Sequence, residues 1–267
     1  MKDNMLIYAS GTEASLRVSE ALKASLGEAG ITISDSLSPD VDLIICIGGD
    51  GTFLEAIHHF GFPEVPIIGV NTGHLGFFQE IMPEDLGDFI RSYREGRYSL
   101  QTMQTVKAVV SSGGMTREYL GLNEVIISTA SSYLVHLNIS IGGSFIEKFS
   151  GDGVLISTPA GSTAYNYSLG GSIVDPRLRL LQVTPMAPMN TTAYRSFTSS
   201  IVLPPDLSIG ILPDGRGSKG KIRISLDGFE HIYDTIDSVD VMLSDKVINL
   251  LRFESYDFWS KVKSKFL

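Results

Sequence analysis

The sequence predicts an α/β N-terminal domain with a mostly parallel sheet, followed by a β-rich, β-sandwich-like C-terminal domain. Three observations predict it. Over the first hundred residues, short apolar runs alternate with stretches of helical periodicity, the pattern of a parallel sheet with helices on its faces. From about Leu100 to Leu251 the runs become strand-like and are separated by Gly, Asn, Asp and Ser pairs, as in antiparallel hairpins. The last stretch, ESYDFWSKVKSKFL, returns to helical spacing, with Phe258, Val262 and Phe266 on one face. The expected division is therefore 1–99 for the α/β domain, 100–251 for the β-rich domain, and 252–267 for a terminal helix packed back on the first.

Each element follows from its own residues. MLIYAS (5–10) reads as a strand, and Val18, Leu22 and Leu26 mark one face of a helix that Gly27 and Gly30 end. ITIS (31–34) and VDLIICI (41–47) are strands, TFLEAIHHF (52–60) a helix, and VPIIGV (65–70) a strand. PEDLGDFIRSYREG (83–96) is a helix with Pro at its start and Gly at its end. The later strands are TVKAVVSS, REYLGLNEVIIST, YLVHLNISIGG, GVLIST, KIRISLDG, SVDVMLS and KVINLLRF, interrupted by one helix near Ser162. Pro204, Pro205 and GRGSKG (215–220) belong to loops.

The 267 residues are 43% hydrophobic and 19% charged, enough apolar material for a sizeable core. A net charge of −9 argues against duplex nucleic acid as a main partner, because that needs many Lys and Arg contacts to phosphates. Anions can still be held locally by backbone N–H groups. The single cysteine, Cys46, lies in an apolar strand; it reads as a buried thiol in a reducing cytosol. With no signal-like N-terminus and no apolar run near the roughly 20 residues of a membrane span, the expected location is the cytoplasm, away from membranes.

The strand VDLIICI is apolar on both faces, as a central parallel strand should be. GGDGT follows at its C-terminal end, where open α/β sheets bind ligands. Gly48, Gly49, Gly51 and Thr52 read as a phosphate cradle at a helix N-terminus. The motif is neither GxxxxGK[ST] nor GxGxxG. Asp50 is the odd member, since a carboxylate beside phosphates needs a task. Three tasks suit it: holding Mg²⁺, accepting a proton from a hydroxyl, or making a turn through its side chain.

A second concentration of unusual residues is GDGVLISTPAGSTAYNYSLGG (151–171). Gly161, Ser162 and Thr163 are placed to open a helix with exposed N–H groups. Tyr165 and Asn166 suit a base or ribose, and Asp152 a hydroxyl or an amide. LNEV (122–125) offers the amide of Asn123 and the carboxylate of Glu124. In NTGHLGFF (71–78), Phe77 and Phe78 are candidates to flank a flat ring, although core packing is the default for Phe. His74 and the His58–His59 pair lack metal partners in sequence, and no Cys/His set has zinc spacing.

GGDGTFL (48–54), NTGHLGF (71–77), LNE (122–124) and GDGVLISTPAGSTAYNYSLGG (151–171), in this order, resemble the NAD kinase family over nearly the whole chain. GGDGT alone also occurs in diacylglycerol and sphingosine kinases; STPAGSTAYNYS is far more specific. The resemblance implies transfer of the ATP γ-phosphate, with Mg²⁺, to the 2′-hydroxyl of the adenosine ribose of NAD, giving NADP and ADP. It implies Asp50 as proton acceptor, with Gly51, Leu54 and Phe77 lining the site. It places Asn123 and Glu124 on the NAD adenosine, with Ser150, Asp152, Ala160, Thr163, Ala164, Tyr165, Ser168 and Ala187 completing the NAD site. It also implies a homodimer or homotetramer, with inorganic polyphosphate left open as a donor.

This chain departs from the family pattern where Ser150 replaces an Arg or Lys, Ala160 a Ser or Thr, and Phe229 a Gln; Lys148 is a candidate substitute for the missing cation. The rival readings are a lipid kinase of the diacylglycerol type and a non-catalytic NAD-binding regulator.

Overall fold

A computed structural model describes residues 3–73, 76–192, 195–214 and 220–266. His74 and most of the GRGSKG loop lie outside the described residues. The chain begins with β1 (Asn4–Ala9), α1 (Glu13–Glu28), β2 (Thr32–Ser34), β3 (Leu43–Gly48), α2 (Asp50–His59), β4 (Ile67–Asn71), β5 (Gln79–Ile81) and α3 (Leu86–Arg94). Next come β6 (Ser99–Ser112), β7 (Met115–Gly121), β8 (Glu124–Thr129), β9 (Val135–Ile141), β10 (Ser144–Gly151), β11 (Gly153–Ser157) and the single-turn α4 (Tyr165–Ser168). The remainder is β12 (Leu181–Met186), β13 (Ile201–Leu203), β14 (Ile209–Pro213), β15 (Ile222–Leu226), β16 (Phe229–Tyr233), β17 (Ser238–Arg252) and α5 (Phe258–Phe266). These form two compact units, Met1–Thr102 with Val247–Leu267, and Met103–Lys246. The chain passes between them within β6 and within β17.

In the first unit β4, β3, β1 and β2 lie side by side and parallel, with β5 and the end of β17 also parallel to β4. Every residue of β3 is buried, which is why its sequence shows no alternation. Leu22 and Leu26 of α1 and Phe89 and Ile90 of α3 close the core against Leu43, Ile45, Ile68 and Val70. Thr12 caps α1 by accepting from the Ser15 N–H (3.3 Å). Gly30, at φ +71°, supplies the left-handed residue that stops it, whereas Gly27 sits inside the last turn. Helix α2 starts at Asp50, earlier than periodicity suggested, because the glycines hide its first turn from a hydrophobic pattern. Pro83–Asp85 forms a 3-10 turn before α3 rather than part of it.

The second unit is a sandwich. One sheet contains β10, β9, β14 and the start of β17 with the β6–β7 hairpin; the other runs β13-β12-β11-β8-β15-β16. Its pairings are antiparallel. Val106, Leu137, Phe149, Ile211 and Val241 from the first pack with Ile127, Val154, Ile156, Val183 and Ile224 from the second. REYLGLNEVIIST divides into β7 and β8 at Leu122–Asn123, whereas SVDVMLS and KVINLLRF join into the single strand β17. The polar Ser244-Asp245-Lys246 stretch stays extended, and the Thr105 hydroxyl donates to the Lys246 carbonyl (2.5 Å).

Phe53 is fully buried and lies flat on Phe78, with ring centroids 4.7 Å apart. Replacing it with Ala should cost about 3–5 kcal/mol through lost burial and a cavity. The expected result is a lower urea midpoint with an unchanged slope.

Candidate active site

In the first unit, β3 runs into Gly48 and Gly49, and α2 opens with Asp50. A Cβ on Gly48 would lie 2.4 Å from Thr52 Oγ1, so the turn admits no side chain there. At Gly49 and Gly51 a Cβ would meet nothing within 4 Å. The backbone is thus open on that side. Gly49 is the N-cap and offers no capping side chain, which leaves the first-turn N–H groups and the positive helix end for an anion.

The Asp50 carboxylate does not stand alone. Its Oδ2 accepts the Phe77 N–H (3.0 Å) and its Oδ1 the Phe78 N–H (3.1 Å). Lys265 of α5 places its Nζ 3.6 Å from Oδ2. Two N–H bonds use about half of a carboxylate's acceptor capacity, so each oxygen can still accept a proton or a further bond. The bound segment is tight, for a Cβ on Gly76 would lie 2.4 Å from Asp50 Oδ1 and 2.1 Å from Gln79 Oε1. The Gln79 amide is buried, and neither of its polar atoms has a hydrogen-bond partner among the described residues.

Phe77 and Phe78 are both buried. Phe78 stacks on Phe53, and Phe77 lies against Phe258 (5.8 Å) and Phe266 (5.7 Å) of α5. Both rings thus pack on other rings of the protein, the default for Phe. Thr52 and Leu54 are half-buried on α2, and Gly51 is exposed. Close by, Arg252 and Glu80 form a buried ion pair (3.2 Å), with the Arg252 guanidinium 3.6 Å from the centre of the Tyr256 ring.

In the second unit the organising group is Asp227. It sits at φ +50° before Gly228 in a two-residue Asp-Gly turn joining β15 to β16. Its carboxylate accepts the N–H groups of Leu122 (2.7 Å), Asn123 (2.7 Å) and Glu124 (3.3 Å). From the other side, the Thr158 N–H donates to the Asn123 carbonyl (2.9 Å) and its hydroxyl to the Leu122 carbonyl (2.6 Å). Gly161 packs so closely that a Cβ would lie 2.1 Å from the Asn123 oxygen. Backbone bonding is thereby satisfied, while Asn123 Oδ1 and Glu124 Oε2 are buried without hydrogen-bond partners among the described residues. Burial, and then the charge of Asp227, push the Glu124 carboxyl up to about 8. At neutral pH it is largely protonated and can donate as well as accept.

Gly161, Ser162 and Thr163 form a buried 3-10 turn, not an exposed helix start: the Gly161 N–H bonds to Thr158 Oγ1 (3.2 Å) and the Ser162 N–H to the Pro159 carbonyl (3.2 Å). Asn166 is likewise internal, accepting from Thr184 Oγ1 (2.6 Å). Tyr165 and Ser168 are exposed, and Ala160 and Ala164 partly so. A second group gathers elsewhere. The Asp152 N–H donates to the Met186 carbonyl (2.9 Å), next to Ala187 at φ +42°. Ser150 is buried, its hydroxyl 2.8 Å from His136 Nδ1, and Lys148 is exposed on the same strand. Glu124 pairs with Ser157 at one end of β11, and Met186 with Gly153 at the other. Four residue steps of strand put the two groups roughly 13 Å apart.

The residues that sequence reasoning missed are Asp227, Thr158, Lys261 and Lys265. The Asp-Gly turn signalled the first, and the four-residue spacing beside an apolar helix stripe signalled the lysines. Among the described residues, no cluster of three or more His, Cys, Asp or Glu side chains is placed to hold a metal ion. No helix among them is long and apolar enough to cross a membrane.

An α/β unit with a glycine-flanked carboxylate at a helix start, joined to a β-sandwich with unpaired buried acceptors, is the build of a nucleotide-handling enzyme. Family models agree: the ATP-NAD kinase N-terminal domain matches residues 17–98 and the ATP-NAD kinase C-terminal domain residues 122–253. The chain is 36% identical to the NAD kinase of Finegoldia magna over 264 residues, 98% of this chain and 97% of that one. It is 33% identical to NAD kinase 1 of Oceanobacillus iheyensis over 268 residues, 99% and 98% of the two chains. The chain belongs to the NAD kinase family. The fold is shared with yeast NADH kinase solved with NADH (TM-score 0.85, 21% identity, 98% of this chain and 87% of that one). It is shared too with an NAD kinase from Archaeoglobus fulgidus solved with ATP (TM-score 0.76, 21% identity, 99% of each chain). Neither the lipid-kinase nor the regulator reading gains support from these likenesses.

A carboxyl raised from its ordinary value of 4.5 to about 8 stabilises the fold fully below pH 4.5 and loses that contribution as pH rises through 8. Glu124→Gln should therefore gain stability relative to wild type between pH 5 and pH 8, on the order of a few kcal/mol. Urea midpoints at the two pH values measure it; an equal offset at both would show that Glu124 is ionised in the fold.

Proposed function

We propose that this chain phosphorylates NAD at the 2′-hydroxyl of its adenosine ribose, using ATP and releasing NADP and ADP. The observation that carries the reading is the Asp50 carboxylate, fixed by the N–H groups of Phe77 and Phe78 at the open, glycine-flanked start of α2. Phosphoryl transfer depends on positioning and charge neutralisation more than on covalent chemistry. Asp50 takes the hydroxyl proton as the oxygen attacks the γ-phosphorus, and ADP leaves. Gly48, Gly49, Gly51 and Thr52 hold phosphate through backbone N–H groups, with Leu54 beside them. Mg²⁺ arriving on ATP supplies charge neutralisation. With no carboxylate cluster among the described residues, no protein ligand is assigned to it.

Asn123 and Glu124 bind the NAD adenosine. Their unpaired buried oxygens are the support for this, because such groups cost about 1–3 kcal/mol unless something bonds them. Ala160, Thr163, Ala164, Tyr165 and Ser168 belong with them; Ser150, Asp152 and Ala187 contact a second part of the dinucleotide. Phe77 acts from beneath the site through Asp50 and through its packing on α5. Two groups of residues at opposite ends of β11 fit a ligand with two nucleoside ends, and fit a second copy of the chain contributing to each site. We infer a homodimer or homotetramer in the cytoplasm, which light scattering on the purified protein tests. Polyphosphate as donor is tested in place of ATP.

The enzyme should form NADP from NAD and Mg-ATP, detected with an NADP-specific dehydrogenase. Asp50→Asn should fold, at a cost of about 1–3 kcal/mol because its amide group faces a backbone N–H. It should lose about 10²–10⁴ in turnover. Near wild-type turnover in a folded Asp50→Asn removes Asp50 from the role of base.

A further inference from the structure

Segment 76–79 is gripped from both sides of its backbone. Its N–H groups at Phe77 and Phe78 go to the Asp50 carboxylate. Its carbonyls go to one ammonium: Lys261 Nζ, on α5, donates to Gly76 O (3.2 Å), Phe77 O (3.4 Å) and Gln79 O. An ammonium has three donors, and all three are directed at this short stretch. No regular secondary structure provides these bonds, since β5 begins only at Gln79. The phenyl ring of Phe77 is held by the same helix, through Phe258 and Phe266.

We propose that Lys261 is a positioning residue for phosphoryl transfer: it fixes the 76–79 backbone, whose N–H groups in turn aim the Asp50 carboxylate. The inference rests on the reading of Asp50 given above. Lys265, one turn further along α5, contacts Asp50 itself, so the helix brings two cations to this corner with distinct partners. Lys261 Nζ bonds the backbone that holds the base and lies over the Tyr256 ring, 5.3 Å from its centre, with no hydrogen bond to Asp50 itself among the described residues. Its effect on turnover is therefore transmitted through geometry.

The arrangement carries a pH dependence. The charged groups facing Lys261 are Arg252, Glu80, Asp50 and Lys265. Burial, and then the Arg252 cation, lower the ammonium to about 8, while Glu80 and Asp50 act in the opposite direction. Below that value the ammonium makes three bonds; above it the amine has lost one donor and its charge. Turnover should fall as pH rises through about 8.

The test uses full-length Lys261→Met and Lys261→Arg, with NADP formation followed from pH 6 to 9.5 and amide exchange of Phe77 and Phe78 followed by NMR. In Lys261→Met, kcat at pH 7 should drop by up to about 10²-fold, the scale of a misplaced catalytic group. KM for NAD should stay within about twofold, because ground-state binding is untouched. Read in a Glu124→Gln background, so that the Glu124 carboxyl does not titrate in the same range, the alkaline limb of kcat near pH 8 should vanish in Lys261→Met and move upward in Lys261→Arg, whose guanidinium does not titrate there. Exchange at Phe77 and Phe78 should quicken in Lys261→Met. Wild-type kcat in Lys261→Met overturns the proposal, and so does an alkaline limb unmoved in Lys261→Arg, which stands as the test if the Met variant does not fold. A wild type that makes no NADP fails the proposed function instead, and unaltered amide exchange then shows separately that Lys261 does not hold the segment.

Discussion

The bond pair from the Phe77 and Phe78 N–H groups to the Asp50 carboxylate is the constraint from which the rest of the first unit follows. It ties the turn after β3 to the connection between β4 and β5. A charged acceptor makes these bonds roughly twice as strong as neutral ones. Once they are made, the chain at residue 76 runs so near the carboxylate that only glycine fits. Phe78 is then set down on Phe53, and Phe77 is left facing α5. The terminal helix is thus needed to finish the core beneath the carboxylate, which explains why a chain would return to helical sequence after a long β-rich stretch.

The second unit solves the same problem with the same chemistry. Asp227 collects three consecutive N–H groups, two from the Leu122–Asn123 link between β7 and β8 and one from Glu124 at the first residue of β8. In both places a carboxylate substitutes for the missing strand and so fixes an irregular backbone that secondary structure cannot. The side chains on that backbone are then left with buried unpaired oxygens. Such groups oppose folding, and a fold that keeps them at one place while pairing Ser162, Asn166 and Thr184 next door is tolerating a cost where a ligand can offset it.

What the sequence disclosed follows from which forces are local. Strand β3 and helix α1 were legible because their apolar patterns report burial directly, and GGDGT because glycine is required by backbone geometry within a few residues. β10 and β12 were not legible. SFIEKFSG carries a glutamate and a lysine among its apolar residues, and LQVTPM holds a proline and two buried polar residues that only cross-strand partners explain. For the site, the motifs marked the right segments but not the bonding. Nothing within NTGHLGFF announces that its N–H groups belong to residue 50 and its carbonyls to residue 261, more than 180 positions away. A separation of 103 to 105 positions likewise hides the tie between Asp227 and LNE. Gly161 shows a related limit: a short Gly-Ser-Thr run has the sequence of an exposed helix start, but the Gly161 and Ser162 N–H groups are already bonded within the turn.

On the proposed reading, Asp50 has a structural and a chemical task at once, and the two support each other. A carboxylate on a free side chain must lose rotamer freedom each time it meets a hydroxyl. One already held by two N–H groups has lost that freedom during folding, and it meets the substrate with its remaining lone pairs in set directions. The restraint has to be rigid to be useful. Here it is backed by a second layer, the ammonium of Lys261 on the opposite edge of the same peptides, and by the ring of Phe77 wedged on α5. The open sides of Gly49 and Gly51 flank this braced carboxylate in sequence. Bracing and openness side by side suit the proposed reaction, in which a reacting phosphate needs unencumbered backbone while the group that takes the proton must not move.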